Sequence, residues 1–372
     1  MKQIYLDFNA STPIAPEVAD AMQPFLTDHF GNPSSSHWAG VQAKEAVENA
    51  RLKVANLLGC GPDEIVFTSG GTESNNHAVK GTFFALRDRG NHIITTRVEH
   101  PSVIRPCRFL ETLGAHVTYL PVDGKGMVDP DHVRQAITDQ TILISVMHAN
   151  NEVGTIQPIA EIGRITRERG ILFHTDAAQS VGKISTRVDK LGVDLLSLAG
   201  HKVYAPKGVG ALYIRHGVHV EPFVHGGGHE SGRRAGTENV LLDIGLGTAC
   251  QLTATWTGRP EIRKLRDMLW ERLRGSFGSR VVFNGHPTER LPNTLNVSFT
   301  GRNGAEIVSK LDGVAVSTGS ACHEGTVSLS PILEAMAIPP EIGMGAVRFS
   351  LGRTTTETEI SDIVDRLEIV VV

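Results

Sequence analysis

Cysteine is scarce in this chain of 372 residues. There are four (Cys60, Cys107, Cys250 and Cys322), far apart, with no CxxC and no paired Cys/His spacing. That pattern excludes a disulfide framework and a structural zinc site, and it fits reduced thiols in a cytoplasmic setting. An excess of one charge is lacking too. The formal net charge is −4 with no basic block, so direct contact with nucleic acid has no electrostatic support. No apolar run approaches the roughly 20 residues of a membrane span. The opening MKQIYLDFNAS has no apolar core of a signal peptide, so no membrane or secretory role is expected. No Walker motif, internal repeat or low-complexity tract is present. What remains, 40% hydrophobic and 20% charged, is ordinary globular composition, long enough for about two domains.

Between about residues 40 and 215, helical and strand-like segments alternate. VQAKEAVENARLKVANLLG places apolar residues at 47, 50, 54, 57 and 58, one face of a helix. The short apolar runs EIVFT, HIITT, HVTYL, TILISVM, ILFHTD, VDLLSLA and VGALYI each suit a buried parallel strand. Together they predict an α/β sheet covered by helices on both faces. Beyond about residue 258 the pattern becomes α+β: PEIRKLRDMLWERLRG, VVFN, TLNVSF, AEIVSKLDG and VRFSLGR. A last helix opens on a Thr356/Glu359 capping box, with apolar positions 360, 363, 364, 367 and 371.

Chemistry-bearing residues follow several of the strand candidates, where ligands of open α/β sheets sit. FTSGGTES (67–74) sets Gly70, Gly71 and Thr72 at a strand-to-helix turn, which is either a plain glycine turn or a phosphate cradle of backbone N–H groups. His100 follows HIITT; it has the ring and the near-neutral titration to stack on a flat ligand or move protons. Asn150 and Asn151 follow TILISVM. FHTDAAQS ends on Asp176, either a helix cap or a buried carboxylate needing a cation such as a pyridinium nitrogen. Lys202 in SLAGHK is a surface lysine or, if desolvated, a Schiff-base former. Taken singly, most of these are more often turn or surface residues. Their coincidence at successive strand ends describes a site for pyridoxal 5′-phosphate (PLP). His225 and His229 stand four apart, but the glycines between them argue against a metal site, and none is expected. Cys322 lies in STGSACHEGT, a run of small and polar residues read as a flexible loop that displays a reactive thiol.

The ordered set YLDFNASTP, FGNPSSSH, FTSGGTESNN, EH (99–100), NNEVG, TDAAQSVGK, GHKVYAPKGVGALY, HGGGHE, RAGTEN, LPNTLNVSF, STGSAC and RFSLGR resembles the cysteine desulfurases of the NifS/IscS group, within the class V aminotransferases of PLP fold type I. The resemblance runs almost the whole length. It implies a large PLP-binding α/β domain (16–257) with a mainly parallel seven-stranded sheet. A smaller α+β domain (1–15 and 258–372) would carry the cysteine loop.

The resemblance also implies roles. Lys202 would carry the cofactor as a Schiff base and act as acid/base, Asp176 would pair with the pyridine nitrogen, and His100 would stack on the ring. Asn151 and Gln179 would contact the cofactor's O3′ side. Gly71, Thr72 and His201 would bind phosphate, with Thr237 supplied by the other subunit of a homodimer. Arg353 would hold the carboxylate of L-cysteine, with Asn32 and Asn151 nearby. Cys322 would take the sulfur as a persulfide, leaving L-alanine, and pass it to an acceptor protein such as an iron–sulfur scaffold or a thiolation protein. Ala199 stands where the family usually has serine. The run CHEGTVSLSP resembles the selenocysteine lyases at its Cys-His start, which keeps release of selenium from L-selenocysteine as the alternative. Housekeeping members carry a further tail that docks the scaffold, whereas this sequence stops at Val372.

Overall fold

The structure is a computed structural model. It describes residues 3–258, 260–318, 321–323 and 326–371, the backbone alone for 321–323, 326 and 327. Seven strands form the main sheet: β1 (Ile65–Thr68), β2 (His92–Thr96), β3 (His116–Leu120), β4 (Thr141–Ser145), β5 (Leu172–Asp176), β6 (Leu195–Ala199) and β7 (Gly210–Ile214), in the order β1-β7-β6-β5-β4-β2-β3. The runs of β1, β2, β4, β6 and β7 are buried throughout, as a sheet covered on both faces requires.

Two strands depart from the expected pattern. β7 runs antiparallel to both neighbours, Leu195 pairing Ile214 and Ala199 pairing Gly210 on one side and Ile65 pairing Tyr213 on the other. The connection 200–209 is shorter than the dozen or so residues a parallel crossover needs, so the chain turns back directly. β3 is an edge strand, exposed at His116 and only partly covered along its middle, rather than a buried one.

Helix α1 (Trp38–Leu58) buries Val47, Ala50, Val54 and Leu58, the expected face, with Leu57 at its margin, and stops at Gly59 in the left-handed region (φ 74°). It packs closely on α4 (Val240–Thr253), where Gly247 is required: a Cβ there would lie 2.5 Å from the Cα of Ala50. Two further helices, α2 (Gly71–Leu86) and α3 (Pro101–Glu111), start directly beyond β1 and β2.

A second, antiparallel sheet is made of β8 (Val281–Asn284), β9 (Thr294–Phe299), β10 (Ser317–Thr318) and β13 (Ala346–Ser350), ordered β10-β13-β9-β8. It is covered by α5 (Pro260–Phe277) and α6 (Glu357–Val371) through Leu269, Leu273, Phe277, Ile360, Ile363, Val364 and Leu367. The capping box forms: Thr356 N–H donates to Glu359 Oε2 at 2.9 Å, and Glu359 N–H to Thr356 Oγ1 at 3.3 Å. Ile4 and Leu6 pack into this second core, so the first residues of the chain join the last.

Cys322 does not lie in an irregular loop. Its backbone belongs to β11 (Ala321–His323), which pairs antiparallel with β12 (Thr326–Ser328), Cys322 opposite Val327. Among the described residues this ribbon joins neither large sheet. The Cys322 side chain lies outside the described residues.

Candidate active site

The carboxyl ends of β1, β2, β4, β5 and β6 converge on one cavity of about 300 Å³. Gly71 and Thr72 enter from the N-terminus of α2, His100 and Ser102 from that of α3, and Met147, Ala149 and Asn151 from the segment after β4. Asp176 and Gln179 follow β5, and Ala199, His201 and Lys202 close β6. Asn150, one residue from Asn151, instead turns the chain, its Oδ1 accepting the N–H groups of Glu152 and Val153.

Asp176, 6% exposed, accepts Asn75 Nδ2–H at 2.7 Å and Ala178 N–H at 2.9 Å. Among the described residues no lysine or arginine forms an ion pair with it. A buried carboxylate held only by neutral donors has room for a ligand cation. Asn75 also donates to Ser102 Oγ at 2.8 Å, and Ser102 Oγ–H then donates to His100 Nδ1 at 2.7 Å. Ser102 N–H reaches the same Nδ1 at 3.1 Å. Two donors on Nδ1 assign the ring proton to Nε2, and burial of the inner edge holds the imidazole pKa below its ordinary value while the ring faces the cavity.

Lys202 Nζ donates to the backbone oxygens of Asn9 at 2.7 Å and Ala10 at 2.8 Å. Burial, then the Arg348 guanidinium, bring its pKa down to about 8, against the opposing pull of Asp176 and Asp7. An amine with that pKa is neutral in part near physiological pH, the condition for attack on an aldehyde. The slot is narrow where small residues meet: a Cβ on Gly71 would lie 3.2 Å from Ala199 Cβ and 4.0 Å from Ala178 Cβ. The arrangement suits a flat, cationic ring with a phosphate at a helix N-terminus and an aldehyde within reach of Lys202.

Eight expected residues therefore share one cavity: Gly71, Thr72, His100, Asn151, Asp176, Gln179, His201 and Lys202. Three others lie elsewhere. Thr237 faces a separate hollow of about 210 Å³ with Thr68 and Ser69, beside the glycine turn. Asn32 is exposed, and its Oδ1 accepts Ser34 N–H. Arg353 lines a neighbouring cavity of about 530 Å³ that also touches Lys202. Its guanidinium lies 4.3 Å over the Trp256 ring and 3.4 Å from Glu17.

Sequence reading missed Arg348, Asn9, Asn75 and Ser102. Arg348, 8% exposed, lines the cavity from β13 and donates Nη1–H to Asn151 O at 2.9 Å and Nη2–H to Asp7 Oδ1 at 2.7 Å. A charged residue inside the apolar run VRFS was its signal. Asn75 stands one turn after Gly71 on α2, so it shares that face.

Cys60, Cys107 and Cys250 have thiols pushed up to about 12, chiefly by burial. At neutral pH roughly one such thiol in 10⁵ is ionised, which disqualifies all three as nucleophiles.

Glu99 is fully buried beside His100. Its Oε1 accepts Thr96 Oγ1–H at 2.8 Å and Met147 N–H at 2.9 Å, while Oε2 has no partner among the described residues. Desolvation pushes its pKa up to about 8. Because the folded pKa is raised, the stability contribution is complete below the ordinary value of 4.5 and is lost as pH rises through about 8. The loss approaches about 1.4 kcal/mol per pH unit within that window. Glu99→Gln should flatten the decline of the melting temperature between pH 5 and 8. Parallel melting curves for the wild type and the variant would refute this.

The fold and the site define a class, the class V aminotransferases: the chain matches that family's model, Aminotransferase class-V, over residues 4–363 and belongs to it. Within the class it belongs with the cysteine desulfurases of the NifS/IscS group. It is 50% identical to a cysteine desulfurase IscS of Dictyoglomus turgidum over 99% of this chain and 94% of that protein. Among solved structures, a NifS-like protein superposes with a TM-score of 0.93 at 37% identity, covering 99% of this chain and 98% of that one. A structure described as SspA in complex with cysteine gives a TM-score of 0.84 at 39% identity, covering 94% and 98%.

Proposed function

We propose that this protein is a PLP-dependent cysteine desulfurase that converts L-cysteine to L-alanine and leaves a persulfide on Cys322. The observation that carries the reading is the meeting of Lys202, Asp176, His100 and the α2 N-terminus in one cavity. The full-length likeness to cysteine desulfurases, and to a protein solved with cysteine, favours L-cysteine over L-selenocysteine.

PLP fits the residues present: an unpaired buried carboxylate, a depressed amine and a helix N-terminus line one narrow slot. When bound, the cofactor supplies an electron sink for the substrate's α-carbon. Asp176 would hold the proton of the pyridine nitrogen, His100 would lie against the ring, and Gly71, Thr72 and His201 would hold the phosphate. Asn151 and Gln179 would meet the ring oxygen. Lys202 Nζ would bind the cofactor's aldehyde carbon and then move the substrate's α-proton. For the substrate carboxylate the geometry supports Arg348 ahead of Arg353. Arg348 lies in the same cavity as Lys202 and, among the described residues, keeps a second N–H on each terminal nitrogen, the fork a carboxylate matches. Cys322 thiolate attacks the substrate sulfur. The Cβ–S bond breaks, an S–S bond forms, and the β-carbon takes a proton to give alanine.

A second copy of the chain would bring Thr237 to the phosphate end, in line with the exposure of Leu26 (64%), Phe30 (75%) and Trp38 (71%) on one copy. The persulfide would go to an acceptor protein, an iron–sulfur scaffold or a thiolation partner, in a reducing cytoplasm. No helix among the described residues is long and apolar enough to cross a membrane.

The test is direct. With PLP and L-cysteine, the protein should release alanine, gain the mass of one sulfur on the peptide containing Cys322, and sediment as a dimer in its active form. Absence of alanine, or the extra sulfur on another cysteine, would overturn the assignment.

A further inference from the structure

Lys183 has no part in the reading above, yet it reaches the cavity through two other side chains. It follows Gly182 after β5 and lines the 530 Å³ cavity behind Lys202. Its Nζ donates to Gln179 Oε1 at 2.8 Å and to Asn9 Oδ1 at 3.3 Å. Gln179 Nε2–H in turn donates to Asn9 O at 2.9 Å, the oxygen that also accepts Lys202 Nζ.

These bonds decide which way the Gln179 amide points. As an ammonium, Lys183 has only donors and faces the amide oxygen. A backbone oxygen has only lone pairs, so it must face the amide nitrogen. A flipped amide would set donor against donor at Lys183 and oxygen against oxygen at Asn9. The second Nε2 hydrogen has no partner among the described residues, and Gln179 lines the cofactor cavity. The amide therefore offers the cavity a donor.

From this geometry we infer that Lys183 is a positioning residue, locking the Gln179 amide so that its N–H meets an oxygen on the bound ring. The inference rests on the PLP reading above and deepens it. Burial, then the charges of Lys202 and Arg348, hold its pKa well below the ordinary value, so the Asn9 backbone oxygen sets the amide's direction and Lys183 completes the lock as donor to Oε1. Lys183 is half-buried, lining the rear cavity.

The test uses ligand binding, with no turnover. Pyridoxine 5′-phosphate carries the ring oxygen but no aldehyde, so it probes the cavity without joining Lys202. Its 3-deoxy analogue lacks the oxygen. Lys183→Met should weaken pyridoxine 5′-phosphate roughly three- to tenfold, the range for one lost hydrogen bond, and leave the analogue nearly unchanged. Gln179→Leu should do the same, and the double variant should lose no more than Gln179→Leu alone. Lys183→Arg, which keeps donors toward Oε1, should retain most of the affinity and serves if the Met variant melts early. Equal weakening of both ligands, or a Lys183→Met loss that persists in the Gln179→Leu background, overturns the inference while the cofactor reading stands. A wild type that binds neither ligand overturns both.

Discussion

Lys202→Ala should leave a folded protein that no longer holds pyridoxal phosphate covalently and turns over at least about a thousandfold more slowly. The size follows from two roles in one atom: a positioned acid/base contributes about 10²–10⁴ in rate, and the covalent hold on the cofactor adds to that. No neighbour replaces it. Lys183 lies near, but its Nζ is engaged by Gln179 and Asn9 and it lines the rear cavity. Arg348 shares the cavity but stays charged and cannot act as a nucleophile. Folding should survive, since Lys202 Nζ donates only to backbone oxygens at the surface of a cavity. The measurement is borohydride reduction of the loaded protein followed by peptide mass. The wild type should carry the cofactor on the peptide containing Lys202, and the variant should carry none and show no visible absorption. A variant that kept the band and full turnover would remove Lys202 from the mechanism.

The site was legible wherever a reactive residue directly follows an apolar run. Strand ends of a buried parallel sheet open on the ligand cleft, so Asp176 after LFHT and Lys202 after LLSLA could be placed without coordinates. Arg348 was concealed because it sits within a strand whose other residues are buried, and the apolar pattern absorbs it. Asn9 was beyond reach for another reason: it serves the lysine through a backbone oxygen, which every residue type possesses. The antiparallel course of Gly210–Ile214 could not be read from hydrophobicity, since covered strands of either direction are apolar throughout. The short connection 200–209 was the informative feature. The segment holding Cys322 reads as loop by composition, and its pairing with Thr326–Ser328 rests on backbone bonds that small residues neither demand nor forbid. Asn32 lies away from the cavity where it was expected, and so does Thr237, which the family resemblance assigns to a second subunit.

Cys322→Ser should separate the two halves of the reaction. The described residues that line the cavity at the strand ends come from other segments, so the variant should bind PLP, keep its colour and change its spectrum on adding L-cysteine. Alanine and persulfide should fall to background, a loss of at least about a thousandfold. A serine hydroxyl is essentially un-ionised near neutral pH, and an O–S bond cannot store the sulfur as an S–S bond does. The other thiols cannot substitute: Cys107 and Cys250 are sealed in the core, and all three are pushed up to about 12. The backbone placement is consistent with a carrier. Among the described residues, the ribbon of Ala321–His323 and Thr326–Ser328 forms a sheet of its own, apart from both large sheets. A thiol that must meet substrate sulfur and later an acceptor protein needs that independence. Cys60→Ser, which keeps the volume at a half-buried position, should leave alanine production unchanged. If Cys322→Ser still produced alanine from L-cysteine at the wild-type rate, the sulfur would be leaving by another route, and the persulfide would have to be sought elsewhere in the chain.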